Sequence, residues 1–179
     1  MTLSCFKAYD VRGVVPDELN ADVAERIGRA YAQILGPATV VLGHDVRLTS
    51  PALADALAEG LMAGGADVAD IGLCGTEEVY FATGHGGHDG GIMVTASHNP
   101  MEYNGIKFVR EGARPMSADS GLLQIRDLAV RGGFDAPGRR GRRAAIDARP
   151  DYIRHLLSYV DPERLKPLRI AINACNGGA

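Results

Sequence analysis

Apolar residues along this chain alternate between the spacing of amphipathic helices and the short continuous runs of buried strands. Helical spacing predicts helices over residues 23–35, 50–63, 76–85 and 118–130. Short apolar runs predict strands over residues 39–42, 68–71, 92–94 and 106–109. Asn20 or Asp22 is a candidate cap for the first helix, and Ser50 with Pro51 opens the second. This alternation predicts a layered α/β/α domain with a mixed, mostly parallel sheet.

The last third of the chain has a different pattern. Residues 132–150 lack periodicity and are rich in glycine, proline and arginine, which is typical of an interdomain linker. Residues 151–160 predict a short amphipathic helix, and residues 168–173 a strand that runs into a glycine turn at 176–178. Because the sequence stops before the next helix, we expect a truncated chain. We divide it into a first domain, a linker and the start of a second, similar domain, over residues 1–135, 136–150 and 151–179.

Composition favours a soluble cytoplasmic protein. The 179 residues are 46% hydrophobic and 23% charged, enough for one ordinary core. A formal net charge of -3 gives no general attraction to nucleic acid or anionic membranes. No apolar run has the length of a membrane span, and the amino terminus lacks a signal-peptide pattern. Cys5, Cys74 and Cys175 are widely spaced and odd in number, which favours free thiols over disulfides or zinc.

The candidate chemistry lies where the strand at residues 92–94 ends. The chain changes there from apolar residues to hydroxyl, imidazole and amide side chains, namely Thr95, Ser97, His98 and Asn99. Open α/β sheets place their ligands at such strand ends, and Pro100 restrains the residue before it to an extended conformation. The pattern therefore predicts a fixed polar loop that presents the Ser97 hydroxyl.

Two serine chemistries are compatible with such a loop. A serine hydrolase needs a base beside the hydroxyl, usually in a G-x-S-x-G elbow, and the flanking glycines are absent. His98 is the immediate neighbour of Ser97, and adjacent side chains in extended backbone point apart. A phosphate-carrying serine needs a cation instead. Lys107 follows a predicted turn at residues 104–105, and a hairpin-like return would bring its ammonium to the loop. This favours a phosphate carrier.

Three motifs then carry a family resemblance. Thr-Ala-Ser-His-Asn-Pro at residues 95–100, followed by Asn-Gly-x-Lys at 104–107, resembles the phosphoserine loop of the α-D-phosphohexomutases, the phosphomannomutase/phosphoglucomutase superfamily. Phe-Lys-Ala-Tyr-Asp-Val-Arg-Gly at 6–13 is similar to the amino-terminal motif of the bacterial bifunctional members. Gly-His-Asp-x-Arg at 43–47 is similar to a third motif, with His44 where arginine is usual. The resemblance spans residues 6–177.

The resemblance implies an enzyme that interconverts hexose 1-phosphate and hexose 6-phosphate through a phosphoserine and a hexose 1,6-bisphosphate. The implied catalytic residues are Ser97, Lys107, Arg12 and His98. The implied substrate-binding residues are Tyr9, Arg12, Thr95, Asn99 and Lys107. The motif at residues 6–13 favours the mannose/glucose branch. The choice between these two sugars and the possibility of an amino sugar stay open, because the sugar-selecting domain is absent from this sequence.

The resemblance also implies parts that this sequence lacks. The Ser97 phosphate would supply one oxygen to Mg²⁺, whose remaining ligands belong to an Asp-Gly-Asp-Gly-Asp loop of the second domain, and that motif does not occur here. Domains two to four of the same protein would select and hold the phosphosugar. We therefore expect the chain alone to be inactive. We also expect neither nucleic acid nor a membrane as a partner.

Several candidate residues also have purely structural interpretations. Ser97 is a residue type that often caps turns, Tyr9 and Arg12 are compatible with a solvated surface, and Asp45 with Arg47 is compatible with an exposed ion pair. His85 and His88 invite a metal hypothesis, but intervening glycines favour an exposed helix end. The arginine cluster at residues 139–143 is compatible with binding to a nucleic-acid phosphate backbone, although a solvated linker is favoured.

Two other functional classes stay open. A noncatalytic phosphosugar-binding or regulatory module would carry a phosphorylated Ser97 without turnover. A nucleotide-binding α/β domain ranks last, because neither G-x-G-x-x-G nor G-x-x-x-x-G-K-[ST] occurs in the chain.

Overall fold

One mixed sheet organises residues 3–173, the part of the chain that the computed structural model describes. Its strands are β1 (Val11–Val14), β2 (Thr39–His44), β3 (Asp67–Leu73), β4 (Gly90–Val94), β5 (Tyr103–Arg110), β6 (Arg114–Pro115) and β7 (Arg143–Ala145). The helices are α1 (Ala21–Leu35), α2 (Ser50–Ala63), α3 (Thr76–His85), α4 (Leu122–Arg131) and α5 (Arg149–Leu157). The strand order is β1-β5-β4-β2-β3-β7, and β6 pairs with β5.

Within these described residues, β5 is the strand that runs against all the others. Strands β2, β3, β4 and β7 pair in parallel, whereas β5 is antiparallel to β4, to β1 and to β6. The predicted mixed, mostly parallel sheet is thus confirmed. The single reversal makes β4 and β5 a hairpin, so the loop between them lies at the carboxyl end of β4.

Helices cover both faces of the sheet. The larger core joins α1, α2 and α4 to inward-facing strand residues such as Leu42, Ile92 and Val94. Their immediate neighbours along the strands face the opposite way, and Val41 and Met93 pack with Val79 of α3. Strands buried on both faces explain the continuous apolar runs in the sequence. The layered α/β/α prediction is confirmed.

Local details refine the predicted helix boundaries. Asn20 is the cap of α1, because its side-chain oxygen accepts a hydrogen bond from the Val23 N–H at 3.1 Å. The cap of α2 is Thr49, so the prediction for Ser50 is wrong; the Ser50 hydroxyl is engaged in the core instead. The helix predicted over residues 118–130 is split at Gly121, whose φ of 124° interrupts the helical backbone.

The predicted turn at residues 104–105 is wrong, because both residues lie inside β5. Gly105 pairs with Arg12 of β1, and a Cβ at Gly105 would come within 2.5 Å of the Val11 carbonyl oxygen. Glycine is therefore required by a close strand contact rather than by a turn. The chain reverses earlier, between Val94 and Tyr103.

The arginine-rich segment predicted as a linker without regular structure contributes β7, which extends the sheet beside β3. Its arginines contact acidic side chains of α2 and β3, in the pairs Arg139–Asp67, Arg140–Glu59, Arg143–Asp55 and Arg143–Asp70. Acidic residues near an open sheet edge thus attract the basic segment. Three arginines of the cluster therefore pair with acidic side chains of the same chain while they remain partly exposed.

The end of the described chain is partly as predicted. Helix α5 is present, and Tyr152 and His155 pack against the Phe81 ring of α3 at centroid distances of 5.4 and 5.1 Å. Residues 168–173 form no strand, because a strand needs a neighbour for its backbone hydrogen bonds and none of the described strands lies beside them. The predicted glycine turn at 176–178, like Cys175, lies outside the described residues.

Cys5 and Cys74 are free thiols within the described residues, as predicted. Burial raises the pKa of the Cys74 thiol to about 12, so it remains protonated. No helix between residues 3 and 173 is long and apolar enough to cross a bilayer.

A substitution tests the close packing of α1 against α2. A Cβ at Gly60 would lie 2.0 Å from the Glu25 carbonyl oxygen, so we expect Gly60→Ala to lower the free energy of unfolding by about 1–3 kcal/mol despite the better helix propensity of alanine. Urea denaturation followed by circular dichroism measures this. Gly84→Ala is the control, because its Cβ would meet Ala113 at an ordinary 3.4 Å. Equal stability of the two variants would contradict this packing.

The ion pair between Asp67 and Arg139 predicts a pH effect. Hydrogen bonds from the Arg139 side chain and the Arg142 N–H lower the pKa of Asp67 to about 2. A lowered carboxyl pKa stabilises the fold at neutral pH, and this contribution is lost as the pH falls from about 4 through about 2. We expect Arg139→Ala to raise the Asp67 pKa, measured by carboxyl NMR titration, whereas Arg126→Ala leaves it unchanged. An unmoved Asp67 pKa in Arg139→Ala would refute the pairing.

Candidate active site

The loop after β4 presents the Ser97 side chain at the end of the sheet where β4 terminates. Ser97 has a φ of 55°, a left-handed conformation that non-glycine residues adopt rarely, and its N–H donates to the Thr95 hydroxyl oxygen at 2.9 Å. The neighbouring Ala96 is fully buried, whereas Ser97 is partly exposed. The loop is therefore anchored in the core on one side of Ser97 while the hydroxyl itself is accessible.

The Ser97 hydroxyl oxygen lies 3.2 Å from Nδ1 of His98. The expectation that these adjacent side chains diverge is wrong, because it assumed extended backbone and Ser97 is left-handed instead. Among the described residues no hydrogen bond orients the second ring nitrogen of His98, which is exposed. The pair thus lacks the third group that orients a hydrolase base.

Asp45 is the buried centre of a polar network beneath the loop. Its carboxylate accepts hydrogen bonds from the Ser50 hydroxyl at 2.5 Å, the Thr95 hydroxyl at 2.7 Å and the Arg47 backbone N–H at 3.0 Å. Asn104 of β5 extends the network by donating to the Ser50 oxygen at 2.9 Å. Only 1% of the Asp45 surface is exposed, so the interpretation of Asp45 and Arg47 as an exposed pair is wrong.

The Arg47 side chain holds the loop by hydrogen bonds to the backbone carbonyl groups of the loop. Its Nη1 donates to the carbonyl oxygens of Pro100 and Tyr103 at 2.9 and 3.0 Å. Its Nη2 donates to the carbonyl oxygens of Ser97 and Asn99 at 3.0 and 2.6 Å. The Nε lies 3.5 Å from Asp45 Oδ2. One guanidinium therefore ties the start, middle and end of the loop to β2.

Arg12 approaches the same loop from β1. Its Nη1 donates to Asn99 Oδ1 at 3.1 Å, and its Nη2 pairs with Asp10 Oδ2 at 2.7 Å. Arg12 is therefore not a merely solvated charge, because it contacts the loop side chain that follows the serine and histidine. The sequence pattern placed Asn99 and Arg12 in separate motifs, and the pairing of β1 with β5 brings them together.

Lys107 and Tyr9 line a neighbouring cleft of about 350 Å³. The other lining residues are Asp10, Tyr80, Phe108, Pro115, Met116 and Ser117. The Lys107 ammonium makes no hydrogen bond or ion pair with the described residues, and 76% of Tyr9 is exposed. Asp10 joins the cleft to Arg12 and through it to the loop, although Ser97 itself is not a lining residue.

Sequence reasoning missed some of these residues. Asp10 lies inside the motif at residues 6–13 and is recoverable from it. Tyr80 and Thr49 carry no local signal, because only the packing of α3 and α2 against the sheet brings them there. Burial raises the pKa of Tyr80, which keeps its phenol protonated in the cleft.

His44 and His85 make contacts within the fold. His44 Nδ1 lies 2.9 Å from the Asp45 carbonyl oxygen beside the network. His85 stacks on Phe81 at 4.7 Å, consistent with a helix end rather than a ligand. Within residues 3–173 no three histidine, cysteine, aspartate or glutamate side chains come together as a metal site.

Sequence comparisons find a matching family model and similar proteins. A family model described as phosphoglucomutase/phosphomannomutase, alpha/beta/alpha domain I, matches residues 4–131. The chain is 60% identical over 182 residues to the phosphohexose mutases of Xanthomonas campestris, covering 100% of the chain and 40% of that relative. It is 59% identical over 179 residues to a Salmonella typhimurium phosphomannomutase, covering 99% of the chain and 39% of the relative. The chain thus spans about two fifths of the length of these relatives.

Solved structures give the same result for the fold. A phosphoglucomutase/phosphomannomutase family protein from Burkholderia thailandensis superposes with a TM-score of 0.79 at 38% identity, over 88% of this chain and 36% of that protein. A structure described as a putative phosphomannomutase from Thermus thermophilus gives 0.76 at 31% identity, over 88% and 36%.

A substitution at the network centre tests its role in the fold. Asp45→Ala leaves the Arg47 cation without its buried counter-charge and several donors without an acceptor, so we expect a loss of about 3–5 kcal/mol in the free energy of unfolding. Urea denaturation measures the loss. Asp119→Ala is the control because Asp119 is exposed, and we expect a change below about 0.5 kcal/mol. A similarly small change for Asp45→Ala would contradict the network.

Proposed function

The chain belongs to the phosphoglucomutase/phosphomannomutase family, and from this premise we propose that it is the phosphoserine-carrying part of a hexose-phosphate mutase. The complete enzyme would interconvert hexose 1-phosphate and hexose 6-phosphate, with mannose and glucose as the sugars, in the cytoplasm. Residues 1–135 would form the first domain, residues 136–150 would connect it, and residues 151–179 would begin a second. The chain covers 40% of its relatives, which supports partners in further domains of the same protein.

The observation that carries the proposal is the presentation of Ser97. Its hydroxyl is accessible at a strand end, while the surrounding loop is held by buried hydrogen bonds on the other side. Phosphoryl transfer depends on positioning and charge neutralisation more than on covalent chemistry by the protein. A fixed hydroxyl on a loop that also bonds the Arg12 cation supports that chemistry, whereas His98, which no third group orients, does not support a hydrolase.

The proposed reaction transfers one phosphoryl group out and one back. The phosphorus–oxygen bond at Ser97 breaks as a substrate hydroxyl oxygen bonds to phosphorus. That hydroxyl loses its proton, and the departing Ser97 oxygen gains one, so the serine hydroxyl is restored. The resulting hexose 1,6-bisphosphate reorients and returns its other phosphoryl group to the Ser97 oxygen. His98 would exchange a proton with that oxygen, and the 3.2 Å contact of its Nδ1 supports this role. Each cycle thus regenerates the phosphoserine.

The other residues would bind and neutralise. Arg12 and Lys107 would stabilise the negative charge of the transferring group, and the unpaired Lys107 ammonium supports this role. Tyr9, beside Lys107 in the cleft, would border the sugar. Thr95 and Asn99 would hold the loop, since one bonds the Ser97 N–H and the other bonds Arg12.

Magnesium is the cofactor that the family resemblance implies, and the described residues do not by themselves fit a site for it. A phosphorylated Ser97 would offer one of the oxygen ligands that Mg²⁺ prefers. The remaining ligands would come from the rest of the full-length protein. We assign no step of the reaction to the ion.

A hybrid enzyme tests the proposal. Residues 1–179 replace the corresponding two fifths of the Xanthomonas campestris relative, to which they are 60% identical. We expect the hybrid to isomerise mannose 1-phosphate and glucose 1-phosphate, and Ser97→Ala to lower kcat by at least about 1,000-fold because the phosphoryl carrier is lost. A coupled spectrophotometric assay measures turnover, and intact mass reports phosphorylation.

The controls separate the alternatives. Ser158→Ala removes an exposed hydroxyl far along the chain and leaves turnover unchanged. Residues 1–179 alone show no isomerisation. A fully active Ser97→Ala hybrid would end the proposal, and phosphorylated Ser97 in a hybrid without turnover would support the noncatalytic module instead.

A further inference from the structure

Every Nη hydrogen of Arg47 is used by the loop that carries Ser97. A guanidinium has two hydrogens on each Nη, and the four bonds to the carbonyls of residues 97, 99, 100 and 103 account for all of them. The side chain is only 10% exposed, and its Nε faces Asp45. The Nε makes no hydrogen bond but is buried, so Arg47 has no accessible donor left for a substrate phosphate.

The charge of Arg47 is also compensated from within. Asp45 is 1% exposed and lies 3.5 Å from the Nε, so the two charges form a buried pair beneath the loop. The cations of the proposed site are instead Arg12, which bonds the Asn99 side chain, and Lys107, which lines the neighbouring cleft. Arg47 is therefore separated from the phosphate-binding charges, and its contribution must pass through the loop backbone.

Arg47 affects the electrostatics of the serine through the direction of the loop carbonyls. A phosphoserine carries close to two negative charges, and carbonyl oxygens facing it would repel it. The guanidinium turns four carbonyl oxygens away into the protein. Lysine cannot replace it, since an ammonium is a point charge with three donors and no planar fork.

We infer that Arg47 is a positioning residue for phosphoryl transfer, which gathers the loop carbonyls behind Ser97 so that the hydroxyl and its phosphate face only donors and cations. This inference rests on the proposed function. The Asp45 network fixes the guanidinium, the guanidinium fixes the carbonyls, and the carbonyls fix the left-handed Ser97. Lys107 and Tyr9 line a separate cleft, and Arg12 meets the loop at the Asn99 side chain rather than at the carbonyls that Arg47 holds.

The experiment compares Arg47→Lys and Arg47→Ala in the hybrid enzyme. We expect kcat to fall at least about 10-fold and about 100-fold respectively, with KM changed less than about 3-fold, because misplacement of the reacting group by about 1 Å costs rate rather than binding. Assays are run at a temperature where circular dichroism shows each variant fully folded. Arg126→Lys is the matched control, an exposed arginine with one surface ion pair, and keeps wild-type kcat.

Chemical rescue separates positioning from stability. Millimolar guanidinium chloride restores part of the kcat of Arg47→Ala, whereas equal methylammonium chloride does not, because only the planar ion bridges several carbonyls. Wild-type kcat in a folded Arg47→Lys enzyme, or a loss confined to KM, would overturn the inference. The hybrid's activity and its dependence on Ser97 are measured separately, so a failure of the proposed function is recognised independently.

Discussion

The buried carboxylate of Asp45 is the constraint on which the site depends. Removing a charge from water is costly unless it is paired and hydrogen-bonded, and Asp45 meets both conditions through Arg47, Ser50 and Thr95. These partners come from the exit of β2, the start of α2 and the exit of β4. Satisfying one buried charge thus requires three segments to adopt one relative position, and the serine loop is built on that position.

The sheet supplies the frame for this arrangement. Because β5 runs against its neighbours, the chain leaves β4, forms the Ser97 loop and returns at once with Asn104 and Lys107. Asn104 turns inward to the Ser50 hydroxyl, and Lys107 lines the accessible cleft. Positions 104 and 107 are an odd number of residues apart, so strand alternation sends their side chains to opposite faces of the sheet.

Charge is divided between two sides of the loop. Arg47 and Asp45 form a compensated pair inside, while Arg12 bonds the Asn99 side chain and Lys107 lines the neighbouring cleft. A local reading of sequence cannot make this division, since all four are charged residues within polar motifs. The same holds for the arginines at residues 139–143, whose acidic partners lie about 70 to 90 positions away in the sequence. Burial and distant partners, rather than residue type, decide which charges are structural.

The sequence by itself determined the helices, the buried strands, the α/β class and the three motifs, because apolar periodicity and residue order are local properties. It also placed Ser97 at a strand end. Only the tertiary structure decided that Gly105 lies in a strand, that residues 143–145 extend the sheet, that Asp45 is buried, and that His98 contacts Ser97. Each of these depends on a backbone angle or on a partner far along the chain, and such information arises only when the segments pack together.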